Sequence, residues 1–266
     1  MLDDRIGLSI SSLPGYNFLK AVRKIRELGF QSIMVMPYDG RAKHSLGSFA
    51  TLDYTSITGN ELKKRVEVLK DFKHISVHQA WDCSWKLWIE CASLIKAEIV
   101  TIHYSTPLTE DKVGFFREVA QYAERYGVKI GIENDGDSYL RYLKLIEKIN
   151  SPNVGATIDV GHCASFEEVK VVDLDKRPEF LNNLICELLL KLSSKVFLMH
   201  LHNIDPATWR DHRSLPSGVI DVPRIIKVLR EVNYEGFFVL ELEERECEKK
   251  AEESGRYLDS LLREIY

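Results

Sequence analysis

The sequence predicts an α/β chain folded as a single closed (β/α)8 barrel spanning residues 1–266. Three observations carry this. Strand-length apolar runs alternate eight times with stretches of helical spacing, the pattern of a parallel sheet wrapped in helices. The length suits eight such units, and no low-complexity segment or linker interrupts them. The rival, an open doubly wound sheet, calls for a glycine-rich dinucleotide turn after its first strand, and Ser11-Ser12-Leu13-Pro14-Gly15 lacks the G-x-G-x-x-G pattern.

The first strand is expected over residues 5–10. Residues 16–28 follow with Phe18, Leu19, Val22, Ile25 and Leu28 at helical spacing, and Gly29 stops that helix. A second strand covers 31–36. Residues 37–58 are polar and irregular, long enough for a loop over a site. A helix at 60–72 then leads to a strand at 74–78, a helix at 84–96 to a strand at 98–103, and a helix at 109–126 to a strand at 128–133. After a helix at 138–149 comes the strand 154–159, whose apolar run stops at an acid. The last two units pair a helix at 178–192 with a strand at 195–202, and a helix at 222–232 with a strand at 236–243; a helix at 247–265 closes the chain.

Lys plus Arg number 36 against 40 Asp plus Glu, so no overall basic field draws this chain onto nucleic acid or an anionic membrane. The cysteines, Cys83, Cys91, Cys163, Cys186 and Cys247, are odd in number and lack C-x-x-C pairing, which reads as reduced thiols in a cytoplasmic protein. Met1-Leu-Asp-Asp-Arg5 does not read as a signal peptide, and no run approaches the roughly 18 apolar residues of a membrane span.

Six consecutive strands carry His, Asp or Glu at the carboxyl end: His78, His103, Glu133, Asp159, His200 with His202, and Glu241. His162 stands just beyond Asp159, and Asp211-His212 lies in the loop after the His200 strand. Any one of these reads as a hydrogen-bonded structural histidine or a rim charge. Barrel closure changes that, because it gathers all the strand ends in one mouth, where unpaired carboxylates and imidazoles cost several kcal/mol in desolvation or repulsion. A divalent cation removes the cost, and mixed His/Asp/Glu ligation suits zinc, manganese or cobalt better than magnesium or calcium. Trp81 is an aromatic face for a sugar or a base, and Arg210 and Arg213 flank His212 as candidate phosphate contacts. Asn134 joins them as a substrate-binding candidate.

The segments Ile132-Glu133-Asn134, Ile158-Asp159-Val160-Gly161-His162, Met199-His200-Leu201-His202-Asn203, His212 through Asp221, and Val239-Leu240-Glu241 resemble the xylose isomerase-like barrel superfamily over nearly the whole chain. That superfamily holds sugar and sugar-phosphate isomerases and epimerases, and also the apurinic-site (AP) endonucleases of the endonuclease IV type. By the first likeness, one cation is held by Glu133, Asp159, His200 and Glu241. The two glutamates then exchange protons at the carbon beside a ketose carbonyl, and His162 binds substrate hydroxyls. By the second, His78, His103, His162 and His212 hold further zinc ions that clamp a phosphodiester of abasic DNA. His202 and Asp211 stand with these as further metal or substrate positions.

Two features oppose the nuclease. Arg210 stands where its pattern has an acid, with Asp211 displaced by one, and no loop shows a Lys/Arg cluster interleaved with aromatics. The expectation is therefore a metal-dependent isomerase or epimerase of a small sugar or sugar phosphate, ahead of the nuclease and of a barrel that only senses a sugar. Nucleic acid is a partner only under the alternative, and a homo-oligomer is left open.

Overall fold

In the computed structural model, which describes residues 1–37, 41–44, 46–54, 59–80 and 84–266 (backbone alone at 41, 42, 44 and 50), eight parallel strands close into a barrel. They are β1 (Ile6–Ser9), β2 (Ser32–Val35), β5 (His74–His78), β6 (Ile99–His103), β7 (Lys129–Glu133), β8 (Val154–Asp159), β9 (Val196–Leu201) and β10 (Phe237–Leu240). Each pairs with the next in the chain, and β10 returns to β1 in the register Ile6↔Phe238. This is the (β/α)8 architecture the alternation predicts. Strand ends fall at the sequence estimates or up to three residues inside them. Among the described residues no helix is long and apolar enough to cross a membrane.

The segment between β2 and β5 differs from expectation. Rather than an irregular loop throughout, it carries an antiparallel hairpin, β3 (Arg41–His44) with β4 (Gly47–Ala50). Arg-Ala-Lys-His and Gly-Ser-Phe-Ala lack the strict apolar alternation that marks a strand in sequence. Tertiary ties hold the hairpin instead. The Gly15 N–H donates to the Ser48 carbonyl at 2.7 Å, the Leu52 N–H donates to the Met36 carbonyl at 2.9 Å, and Phe49 is buried.

Helix starts are fixed by side-chain caps: Asn17 accepts from the Lys20 N–H, Asp111 from the Gly114 N–H, and Asp221 from the Arg224 N–H. Between helices and sheet lies the main apolar core. Tyr142, from the helix Tyr139–Ile149, crosses it to donate a 2.7 Å hydrogen bond to the Ile132 carbonyl, one residue before the end of β7.

Inside the barrel the period-two rule stacks residues in layers. At the amino end Met34, Ile99, Leu198, Phe237 and Val239 form a separate apolar plug. Above it the layer is small and polar: Thr101 and Thr157 meet at 3.1 Å across Gly131, whose absent Cβ would lie 2.1 Å from Thr157 Oγ1. Next in the same alternation come His103, Glu133 and Asp159. The β8–β9 register shifts between Ala156 and Thr157, so that Thr157 faces Leu198 and Asp159 faces His200.

Gly131→Ala leaves the backbone conformation allowed but drives a methyl into the Thr101–Thr157 contact. We expect a loss of about 1–3 kcal/mol in urea denaturation, the usual cost of overpacking, with the helical circular dichroism unchanged.

Candidate metal centre

Every strand from β5 to β9 delivers its last inward side chain to the carboxyl-end mouth, and β10 does so with the residue that follows it. Glu133 is fully buried at the centre. Its Oε2 lies 3.0 Å from His78 Nε2 and 3.1 Å from His103 Nε2, while its Oε1 lies 3.2 Å from His200 Nδ1 and 3.4 Å from His162 Nδ1. His200 Nδ1 is also 3.1 Å from Glu241 Oε2. One imidazole edge thus stands between two buried carboxylates.

Asp159, likewise buried, accepts the His162 N–H at 2.7 Å and lies 2.9 and 3.0 Å from His202 Nε2 through its two oxygens. Asn134 holds its backbone on both sides, donating to the Asp159 carbonyl at 2.9 Å and accepting the Asp159 N–H at 2.8 Å. On the loop after β9, Asp211 Oδ1 sits 3.1 Å from His212 Nδ1.

Among the described residues three groups of donor atoms result, each within 4.8 Å: Glu133, Asp159, His200 and Glu241; His78, His103 and Glu133; and Asp159, His162 and His212. The residues fit a divalent ion. The first group sets three buried carboxylates against one imidazole, whose Nε2 has no partner among the described residues; nor does His162 Nδ1 have a hydrogen-bond partner there. Such an excess of buried negative charge is stable only beside cations, whether protons or a metal.

In the ion-free chain, protons fill that role. Burial opposes charge on His103, but the Glu133 charge and the Asp135 hydrogen bond outweigh it and raise the imidazole to about 10. His162 is raised to about 10 in the same way, against burial, by Asp159 and Glu133. Burial also works against ionised Glu241, yet the His200 charge and hydrogen bond lower it to about 2. Glu133 and Asp159 are depressed as well, against burial, by the histidines around them.

A cavity of about 160 Å³ opens onto this cluster. Its floor is His78, His103, Glu133, His162, His212 and Glu241; Met36, Lys43 and Phe49 form its other wall. Arg210 and Arg213 are not among the residues that line it. Arg210, half exposed, reaches Glu243 at 3.8 Å, and the Arg213 Nε donates to the Asp211 carbonyl at 2.9 Å. Trp81 lies outside the described residues.

Sequence reading missed Asp135, which accepts from His103 Nδ1 at 3.1 Å and from the Ser105 N–H at 2.8 Å. Its place two residues after Glu133 was the available signal. Lys43 and Phe49 were missed with the hairpin that carries them.

Residues 22–261 match the family model described as xylose isomerase-like TIM barrel. The chain belongs to that family. The chain is similar to two uncharacterized proteins of Methanocaldococcus jannaschii, both 24% identical, over 200 and 195 residues. These matches span 65% and 67% of this chain but only 63% and 65% of those relatives. Among solved structures, a D-tagatose 3-epimerase-like protein is 20% identical with TM-score 0.68, covering 100% of this chain and 98% of that one. An L-ribulose 3-epimerase is 14% identical with TM-score 0.71, over 98% and 95% of the two chains. The IolI protein with a bound zinc atom is 14% identical with TM-score 0.66, over 100% and 99%. At these identities the likeness is one of fold.

The shifts set a pH dependence for this xylose isomerase-like barrel in the absence of added metal. His103 and His162, raised to about 10, add stability that is complete below their ordinary 6.5 and is lost as pH rises through about 10. Glu241, lowered to about 2, adds stability that is complete above its ordinary 4.5 and is lost as pH falls through about 2. Melting temperature in EDTA should therefore peak between about 4.5 and 6.5. Added Zn²⁺ or Mn²⁺ displaces imidazole protons, so its stabilisation should grow toward the alkaline side.

Proposed function

We propose that this chain is a divalent-metal-dependent isomerase or epimerase that moves a proton at the carbon beside the carbonyl of a small sugar or sugar phosphate. The observation that carries the reading is the pair Glu133 and Glu241. They come from strands three apart in the ring, both line a cavity of about 160 Å³, and both lie at hydrogen-bond distance from the same His200 nitrogen. That space is of the size of one small sugar.

Glu133, Asp159, His200 and Glu241 would hold the ion, which when bound supplies positive charge to the substrate's carbonyl and hydroxyl oxygens. The chain's own residues do the rest. One glutamate accepts the proton from the carbon and the other returns a proton from the opposite face, so the two carboxylates decide the stereochemical outcome. His162, with Nδ1 buried at the cavity, offers a hydrogen bond to a substrate hydroxyl. Phe49 gives the pocket an apolar face. Fold likeness to an L-ribulose 3-epimerase and to a zinc-bound protein supports the same reading, as analogy.

A second reading is favoured by one specific observation. His78 Nε2 and His103 Nε2 face each other at 3.1 Å and both face Glu133 Oε2. Their Nδ1 atoms are occupied by the Gln79 carbonyl and by Asp135. Lone pairs thus converge where a second cation would sit, and the Asp159, His162 and His212 group offers a third place. Two or three ions would equip a phosphodiesterase acting on abasic DNA. Against it stands Arg210, which turns to Glu243.

Metal analysis of purified protein and proton exchange in D2O separate the two. One ion per chain, with solvent deuterium entering a ketose beside its carbonyl, is the expected result. Glu241→Gln should slow that exchange by about 10²–10⁴-fold, with metal content measured alongside. Two or three ions per chain with nicking of an abasic duplex, and no deuterium in any ketose or ketose phosphate, would overturn the proposal in favour of the nuclease.

A further inference from the structure

The two histidines of Met199-His200-Leu201-His202 share a strand face but not a role. His202 is fully buried, and both of its ring nitrogens are spent on the protein. The His212 backbone N–H donates to His202 Nδ1 at 2.9 Å. A backbone N–H only donates, so Nδ1 carries the lone pair and the neutral ring has its proton on Nε2. That Nε2–H faces Asp159, at 2.9 Å from Oδ1 and 3.0 Å from Oδ2. With Nδ1 as an acceptor, its 3.4 Å approach to the Asn203 carbonyl is a contact and not a hydrogen bond.

The surroundings are shaped for this ring. A Cβ on Gly161 would lie 2.0 Å from His202 Cε1, so the glycine between Asp159 and His162 makes the room. On the other side the His212 ring stacks at 4.2 Å between centroids and 12° between planes. His200 differs on both counts, with Nδ1 between Glu133 and Glu241 and Nε2 without a partner among the described residues.

We infer that His202 is a positioning residue: it is not a ligand but orients the Asp159 carboxylate for the ion, in a tautomer set by the peptide N–H of His212. Ligand carboxylates are aimed by hydrogen-bond donors of this kind, and removing one costs about 10–100-fold in metal affinity. The chain of bonds also ties the loop that carries His212 to a ligand on β8. The inference rests on the reading of Asp159 as a ligand given above.

The test is titration with Co²⁺ alone, followed by its visible absorption, on the wild type, His202→Phe, His202→Gln and Gly161→Ala. Phenylalanine keeps the stack on His212 and removes both nitrogens; glutamine keeps an N–H near the Nε2 position; the methyl that Gly161→Ala adds displaces the ring. We expect H202F and G161A to weaken Co²⁺ binding by about 10–100-fold, with the saturated spectrum keeping the wild-type band positions. H202Q should bind within a few-fold of wild type. Should H202F fail to fold by circular dichroism, G161A decides, since it retains the histidine. Wild-type affinity in both H202F and G161A overturns the inference alone, and so does a saturated H202F spectrum with shifted bands, which would make His202 a ligand. A wild type that takes up no Co²⁺ overturns the metal reading, and the inference with it.

Discussion

Charge brought together by chain closure is the constraint on which this molecule depends. Glu133 and Asp159 are fully buried and Glu241 nearly so, within a few ångströms of one another. Three carboxylates in so little space would not stay ionised without compensation. Imidazoles interleave with them: His78 and His103 on one side of Glu133, His200 between Glu133 and Glu241, His202 against Asp159. The result is a buried cluster in which carboxylates and imidazoles balance one another's charge.

The frame around Glu133 and Asp159 is tied through the backbone as well as the side chains. Asn134 grips the Asp159 peptide from both directions, and Tyr142 anchors the carbonyl just before Glu133. Beneath, the Thr101–Thr157 contact across Gly131 fills the middle of the barrel with small polar groups, so that the charged layer rests on a packed floor. A site held by strands and by donors of this kind keeps its geometry better than one carried on loops.

Much of this was legible in the chain because topology turns sequence position into place. Once eight strand and helix units are counted, the strand ends are assigned to the mouth, and His78, His103, Glu133, Asp159, His200 and Glu241 are named on that ground; the set of four comes from the family resemblance. What was not legible depends on contacts across the fold. The β3–β4 hairpin is held by Gly15, Met36 and Leu52 and not by its own alternation. Asn134 reads as a substrate contact in sequence, yet its amide is occupied by Asp159 and Cys163. His200 and His202 look alike in the string His-Leu-His, and only the His212 peptide tells them apart.

The offset between Ala156 and Thr157 reaches further than its single residue. It sets the phase of β9 against β8, and phase decides whether an imidazole looks inward or toward the helices. Removing one residue ahead of Leu198 would keep every letter of the His-Leu-His string and still rotate it out of the mouth. Insertions and deletions in this family should therefore gather between the strands and spare 154–159 and 196–202 wherever the string retains its purpose; a relative with the right letters and the wrong strand spacing would be a different kind of protein.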